Sequence, residues 1–199
     1  MSVYKLFLYI CNMKTSLVRE NIINIASTLF YQNGYNLTGI NEIIEKSGIA
    51  KATLYNHFKS KDDLCIAFLQ NKNEDFLVQI KKYTSNIKNG PNRVLALFDF
   101  LKDFFNQKEF NGCWCINTVS EIPKDNIIIK AEIKKLKFLF LEFIESLISE
   151  NISNLKAQES TLLAKQIYLL YEGAVAESHL HNHVWPIESA QKLCIKLLE

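Results

Sequence analysis

Residues 38 to 61, Thr-Gly-Ile-Asn-Glu-Ile-Ile-Glu-Lys-Ser-Gly-Ile-Ala-Lys-Ala-Thr-Leu-Tyr-Asn-His-Phe-Lys-Ser-Lys, constrain this chain more than any other stretch. Ile40, Ile43 and Ile44 repeat at the i, i+3, i+4 spacing that lines one face of a helix, and Gly48 supplies the left-handed residue on which such a helix ends. A second short helix must follow. Leu54 and Phe58, four apart, form its inner face. Lys51, Ala52, Thr53, Tyr55, Asn56 and His57 are left outward, and these small, hydrogen-bonding and cationic groups suit a helix that lies in a DNA major groove. The pattern predicts a helix-turn-helix.

The flanking residues supply its supports. Ser16 is expected to cap a helix whose face carries Val18, Ile22, Ile25, Ala26, Leu29 and Phe30, and Gly34 to close it. In Ser60-Lys61-Asp62-Asp63, Ser60 can cap a further helix while Asp63 reaches back to its amide; that helix runs to about Thr84. Its first turn puts Lys61 and free backbone amides where a DNA phosphate would lie. Asn89-Gly90-Pro91 is a breaker, after which Val94, Leu95, Leu97, Phe98, Leu101, Phe104 and Phe105 mark a helix to about Gln107. A looser segment from Phe110 to Ile122 ends at Pro123. Ile129, Ile133, Leu136, Phe140, Phe143, Ile144, Leu147 and Ile148 predict a long one-sided helix over about Asp125 to Ile152, too interrupted by charge to span a membrane. Two more helices are expected, about Gln158 to His181 and Pro186 to Leu198. With no repeat, low-complexity tract or strand-like alternation, the fold class is all-α, a small head on a larger body.

At these residues the chain resembles the TetR family of bacterial repressors. The shared signature is an Ile-rich first motif helix, a Gly turn, a Thr-Leu-Tyr-x-His-Phe recognition helix and a Lys-Ser-Lys-Asp-Asp-Leu start to the next helix. It covers roughly residues 16 to 68 by motif, and the rest by length and helical character. Residues 1–13 precede the first convincing helix and are expected to be an N-terminal extension, either an upstream addition or a flexible arm; the resemblance implies a DNA-binding head over 14–60 and a ligand-binding and dimerisation body over 61–199. It also implies a homodimer on a pseudo-palindromic double-stranded operator. Tyr55, His57 and Lys61 would grip phosphates; Lys51, Ala52, Thr53 and Asn56 would face the bases, with Thr38 beside them at the start of the motif. Two positions depart from many relatives: Gly39 lacks a hydroxyl for a phosphate, and Ala50 lacks a side-chain N-cap worth about 1 kcal/mol.

For the body, the resemblance implies a small-molecule effector that tilts the helix leading from the head. Trp114, Asn117, Glu121, Tyr168, Tyr171 and Glu172 are the polar or aromatic groups expected at its cavity, suited to a lipophilic or aromatic ligand. Each of the aromatic ones is equally open to a plain core role. Gly112-Cys113-x-x-x-Asn117 resembles a junction found in part of the family. Gly173, Ala174 and Ala176 are small enough for close helix approach, and with Leu193 and Leu197 they are expected to pair with a second subunit.

Net charge is only +2, with 23 basic and 21 acidic residues, which argues against coating polyanions in general. DNA affinity would come from a local patch drawing on Lys14, Arg19, Lys46, Lys51, Lys59 and Lys61, doubled by dimerisation. Five scattered cysteines, Cys11, Cys65, Cys113, Cys115 and Cys194, suit a reducing cytoplasm. The apolar run Leu6 to Cys11 is too short to cross a bilayer and no cleavage site follows it, so no signal peptide and no membrane partner are expected. Two alternatives stay within the same fold: metal sensing through His179, His181 and His183 with Cys113 or Cys115, and a thiol switch between Cys113 and Cys115. A DNA-binding protein without an inducer is a third. No nucleophile elbow, Gly-rich phosphate loop or His-Glu-x-x-His is present, so neither catalysis nor a cofactor is expected.

Overall fold

The computed structural model describes residues 3–199, with side chains from Thr15 onward. The described residues form nine α-helices and no strand: α1 (Val3–Leu37), α2 (Ile40–Ser47), α3 (Lys51–His57), α4 (Lys61–Ser85), α5 (Pro91–Phe105), α6 (Trp114–Glu121), α7 (Ile127–Asn151), α8 (Ala157–His181) and α9 (Trp185–Leu198). The all-α expectation holds. Ser16 is not a cap, because α1 begins upstream of it and its hydroxyl donates to Glu20 one turn on, at 3.1 Å. The side chains of the expected extension, residues 1–13, and of Lys14 lie outside the described residues.

Helices α1 to α3 close the head around a few side chains. Ile22, Ala26 and Leu29 of α1 meet Ile43 of α2, Leu54 of α3 and Phe58, and α4 adds Leu64 and Phe68, all at 4 % exposure or less. Fully burying an aliphatic or aromatic side chain of this size contributes about 1.5–3 kcal/mol, which is what holds so short a helix as α3 in place. Gly48 stops α2 with φ 65° and ψ 31°, its N–H reaching the Ile44 and Glu45 carbonyls. Gly34 breaks α1 at φ 82°, and a Cβ there would lie 2.2 Å from a Glu121 carboxylate oxygen. Helix α4 starts on the expected cap, with Ser60 Oγ accepting from the Asp63 N–H at 3.0 Å. The Asp63 carboxylate reaches one residue further than expected, to the Lys59 N–H at 3.0 Å.

Two apolar clusters meet inside the molecule. The first joins the head to Trp114 and Cys115 of α6 and to Ile129, Ile133 and Leu136 of α7; the second gathers α5, α8, α9 and the rest of α7 from Phe140 on. Phe76, Phe104 and Cys113 pack against both, so a seam crosses α7 between Leu136 and Phe140. The segment expected to be loose contains a regular helix, α6, because Trp114, Cys115 and Thr118 give it a buried face. No helix among the described residues is long and apolar enough to cross a membrane.

Candidate functional site

Helix α3 has one face in the core and one face outward. Leu54 is fully buried and Phe58 nearly so, which leaves Lys51, Ala52, Tyr55 and Asn56 exposed and Thr53 and His57 half-buried. Tyr55 keeps 44 % of its surface in solvent, so the core has no claim on this large ring. Both departures noted in the sequence are visible, since neither Gly39 nor Ala50 offers a side-chain cap to its helix. Arg19 adds a cation to the same region, its guanidinium lying 5.1 Å from the centroid of the Phe58 ring. Lys46 instead pairs with Glu42 at 2.9 Å.

One expected DNA contact, Thr38, is placed differently. The Thr38 side chain is fully buried, and its hydroxyl donates to the Gly34 carbonyl at 2.7 Å and the Leu29 carbonyl at 3.1 Å. It ties down the end of α1 around the Gly34 break and is not available to a groove. Lys61 keeps its position at the start of α4, but its ammonium sits 4.4 Å from the centroid of the Tyr35 ring, and burial lowers its pKa.

Asn117 and Glu121 belong to the joint between head and body. Glu121 accepts from the Asn36 N–H at 2.8 Å, while the Asn36 side chain donates to the Glu121 carbonyl at 3.0 Å. Asn117 donates to the Asn111 carbonyl at 2.8 Å, and Asn111 in turn donates to the Tyr31 carbonyl at 2.6 Å. Tyr31 Oη gives its proton to the Gly112 carbonyl at 3.0 Å and accepts the Asn111 N–H at 2.9 Å. Asn117 and Glu121 therefore line a polar cleft between α1 and α6 rather than the cavity of the body.

That cavity lies on the seam and is small, with an interior volume of about 30 Å³. Phe76 of α4, Phe104 of α5 and Phe140 of α7 are among its walls, and Trp114, Tyr171 and Glu172 also line it. Tyr168 does not; it stands against Phe140, with ring centroids 6.1 Å apart. The sequence reading missed Lys137. Its Nζ lies 2.6 and 2.7 Å from the two Glu172 carboxylate oxygens and 3.0 Å from Cys113 Sγ. The signal was available: Lys137 stands four residues after Ile133 and three before Phe140, on the apolar face of α7.

The charges of this cluster depend on one another. A hydrogen bond from the Cys115 thiol holds the Cys113 pKa well below the ordinary thiol value, with burial opposing and the Lys137 charge assisting. The same bond and burial push Cys115 up. Burial works against charge on Lys137, but the Cys113 and Glu172 charges beside it win and raise its pKa. Burial raises Glu172, and Lys137 offsets part of that rise. Two buried polar atoms on residues that line the cavity, Trp114 Nε1 and Tyr171 Oη, have no hydrogen-bond partner; their residues are only 8 % and 2 % exposed.

The three histidines diverge. His179 meets Asn111 Oδ1 at 3.0 Å, His181 meets Glu177 at 3.3 Å, and His183 Nδ1 accepts the Trp185 N–H at 3.1 Å. Among the described residues no three His, Cys, Asp or Glu side chains gather as a metal would need, so the metal-sensing alternative has no site here. On the outer face of α8, Gly173 and Ala176 are exposed in line with Leu162, Leu169 and Leu180, and α9 adds Leu193 and Leu197. Ala174 is 3 % exposed and points into its own subunit, which removes it from that face.

Residues 22–68 match the family model for bacterial regulatory proteins of the TetR family. The chain is 24 % identical to the HTH-type transcriptional regulator QacR of Staphylococcus aureus over 54 % of its own length and 79 % of that protein's. It is also 24 % identical to the fatty acid metabolism regulator protein of Bacillus subtilis, over 73 % of this chain and 75 % of that one. The crystal structure of a TetR-family transcriptional regulator from Streptomyces coelicolor shares the fold with a TM-score of 0.81 at 23 % identity, covering 91 % of this chain and 88 % of that one. The helix-turn-helix head of this chain is therefore of the TetR type, and the chain as a whole shares the fold of TetR-family structures.

Proposed function

We propose that this chain is a TetR-family transcriptional regulator, a cytoplasmic homodimeric repressor that binds pseudo-palindromic double-stranded operator DNA and releases it when a small lipophilic or aromatic molecule fills the body cavity. The observation that carries the reading is the face of α3, where Lys51, Tyr55 and Asn56 stand exposed on a helix pinned by the buried Leu54 and Phe58. One such helix reads only a few base pairs, so useful specificity needs two, about 34 Å apart on a twofold axis. The apolar stripe along α8 and α9 supports that pairing. Leu162, Leu169, Gly173, Ala176 and Leu180 recur seven, four, three and four residues apart, and the large ones are 58–74 % exposed in the single subunit.

Release follows from what an occupant of the cavity would touch. Phe76 belongs to α4, which carries Leu64 and Phe68 of the head core, while Trp114 stands edge-on to Tyr31 of α1 with centroids 6.5 Å apart. A ligand that fits better when these helices shift weakens operator binding by that difference in affinity and by no more.

Fluorescence anisotropy with duplex from upstream of the gene, beside a scrambled duplex at two salt concentrations, tests the reading. Preferential, salt-sensitive binding to the native duplex is expected. Tyr55→Ala and Lys61→Ala should weaken binding to all duplexes and flatten the salt slope, whereas Lys51→Ala and Thr53→Ala should change sequence preference by about 1–3 kcal/mol per base pair. Unchanged binding in all four variants would remove α3 from the groove.

A further inference from the structure

We infer that the polar cleft between α1 and α6 is a binding site for a small organic cation with several N–H donors, a guanidinium or primary ammonium compound, and that this site is separate from the body cavity. The inference rests on the proposed function only for what occupancy does at the DNA; the site itself is a property of the joint between head and body.

Three helix ends meet at this cleft. Helix α1 breaks at Gly34, α6 stops at Glu121, and His179 stands in the last turn of α8. The C-terminal end of a helix carries the negative pole of its dipole and favours a cation. The cleft has an interior volume of about 240 Å³, against about 30 Å³ for the body cavity, which suits a molecule below drug size. Its hydrogen-bonding capacity points the same way. Asn117 donates an amide N–H to the Asn111 carbonyl, and Ser120 donates its only proton to the Asn117 carbonyl, both at 2.8 Å. Among the described residues nothing donates to Asn117 Oδ1 or Ser120 Oγ. Glu121 uses only Oε2, which accepts the Asn36 N–H, and leaves Oε1 unused. The spare groups are therefore acceptors, and one of them is a carboxylate oxygen.

No cation of the protein meets this demand. Among the described residues no lysine, arginine or histidine pairs with Glu121. Lys61 is near enough to feel its charge, but the Lys61 ammonium lies over the Tyr35 ring and does not line the cleft. A guanidinium or ammonium group can give one charge-assisted hydrogen bond to Glu121 Oε1 and further N–H bonds to Asn117 Oδ1 and Ser120 Oγ. An anion would face the carboxylate and the helix poles, and an apolar molecule would leave the acceptors without partners. The exposed Gln32 and Asn33 of α1 form the opposite rim, so an occupant held by α6 also touches the helix that braces the head. Such an occupant bridges head and body.

The test is calorimetric titration of the full-length protein with agmatine, which carries a guanidinium at one end and an ammonium at the other. Tetramethylammonium, which has the charge but no N–H, is titrated in parallel. Agmatine should bind saturably, one per subunit, and tetramethylammonium about tenfold more weakly or not at all. Glu121→Gln keeps a carbonyl oxygen for the Asn36 N–H while removing the charge, and should weaken agmatine about tenfold. Ser120→Asp, on the exposed rim, adds a carboxylate and should tighten it several-fold, which keeps the site testable where Glu121→Gln fails to fold. Amide exchange should slow over 31–37 and 117–121 and stay unchanged around Phe140. No saturable binding up to about 10 mM, equal binding of the two cations, or either folded variant binding agmatine as the unaltered protein does overturns the site. Protection around Phe140 instead would place the cation at Glu172 in the body cavity and overturn it too. The two readings fail separately. Agmatine bound in the cleft of a protein that ignores upstream DNA upholds the site and defeats the repressor, whereas upstream DNA released by a lipophilic ligand with no agmatine bound does the reverse.

Discussion

The head and the seam of the body satisfy their polar groups in different ways. In the head, Thr38, Asp63 and Ser60 all satisfy backbone groups within nine residues of themselves, although Ser47 Oγ is buried there without a partner. At the seam, Lys137, Glu172 and Cys113 come from α7, α8 and the turn before α6 and depend on one another, while Trp114 Nε1 and Tyr171 Oη are left over. A locally satisfied unit keeps its shape whatever the rest of the molecule does, as a reading head must. A cluster assembled from distant elements with capacity unspent is poised to respond to an occupant.

The largest expected effect tests that contrast at Lys137. Lys137→Met leaves the Glu172 carboxylate facing the cavity without its cation, and breaking such a pair costs about 3–5 kcal/mol. Thermal melting should show the loss, and Lys137→Met with Glu172→Met should recover most of it. A loss below about 1 kcal/mol would mean that water solvates the pair and that the seam is not the dry cluster described. In the head the equivalent substitution is Leu54→Ala, which empties a fully buried site and should cost about 3 kcal/mol. Hydrogen exchange should show its effect confined to α2 and α3, with α8 and α9 unmoved, and spread into α8 would mean that the two regions are one cooperative unit.

This difference also explains what could be read in advance. The head was legible because its determinants are local: Ile43, Gly48, Leu54 and Phe58 act on neighbours a few residues away, and spacing alone places them. The seam was not, because a lysine on a long charged helix reads as a solvated face until α8 brings Glu172 to it. Glu121 and Asn117 were assigned to the cavity for the same reason. Their partners, Asn36 and Asn111, are set by how α6 lies against α1 and not by sequence distance. Thr38 was misplaced because nothing nearby announces that the Gly34 break leaves carbonyls for its hydroxyl to fill.

The joint between the regions gives an intermediate effect. Gly34→Ala forces an L residue to φ 82° and drives a methyl group into the Glu121 carboxylate, so a cost of about 2 kcal/mol is expected. Gly34→Ala with Glu121→Ala should recover the part due to the clash and leave the part due to the backbone. Full recovery, measured by denaturant titration, would show that the turn itself is unstrained and that only the contact with α6 matters.

The smallest effect is the most discriminating. Helix α3 begins at Ala50, which holds an extended conformation with φ −73° and ψ 150° but offers no side-chain acceptor to the first turn. Ala50→Ser supplies one at the same backbone geometry and should stabilise the helix by about 1 kcal/mol. If head and body unfold together, that gain raises the melting temperature of a chain this size by about 2–4 °C. If the head opens on its own, the melting temperature of the body stays where it was and the gain appears only as slower amide exchange in α3. The second outcome would mean that the locally satisfied head is thermodynamically separate from the seam. A ligand would then act on DNA binding by reorienting the head through the Glu121 and Tyr31 contacts, not by melting it.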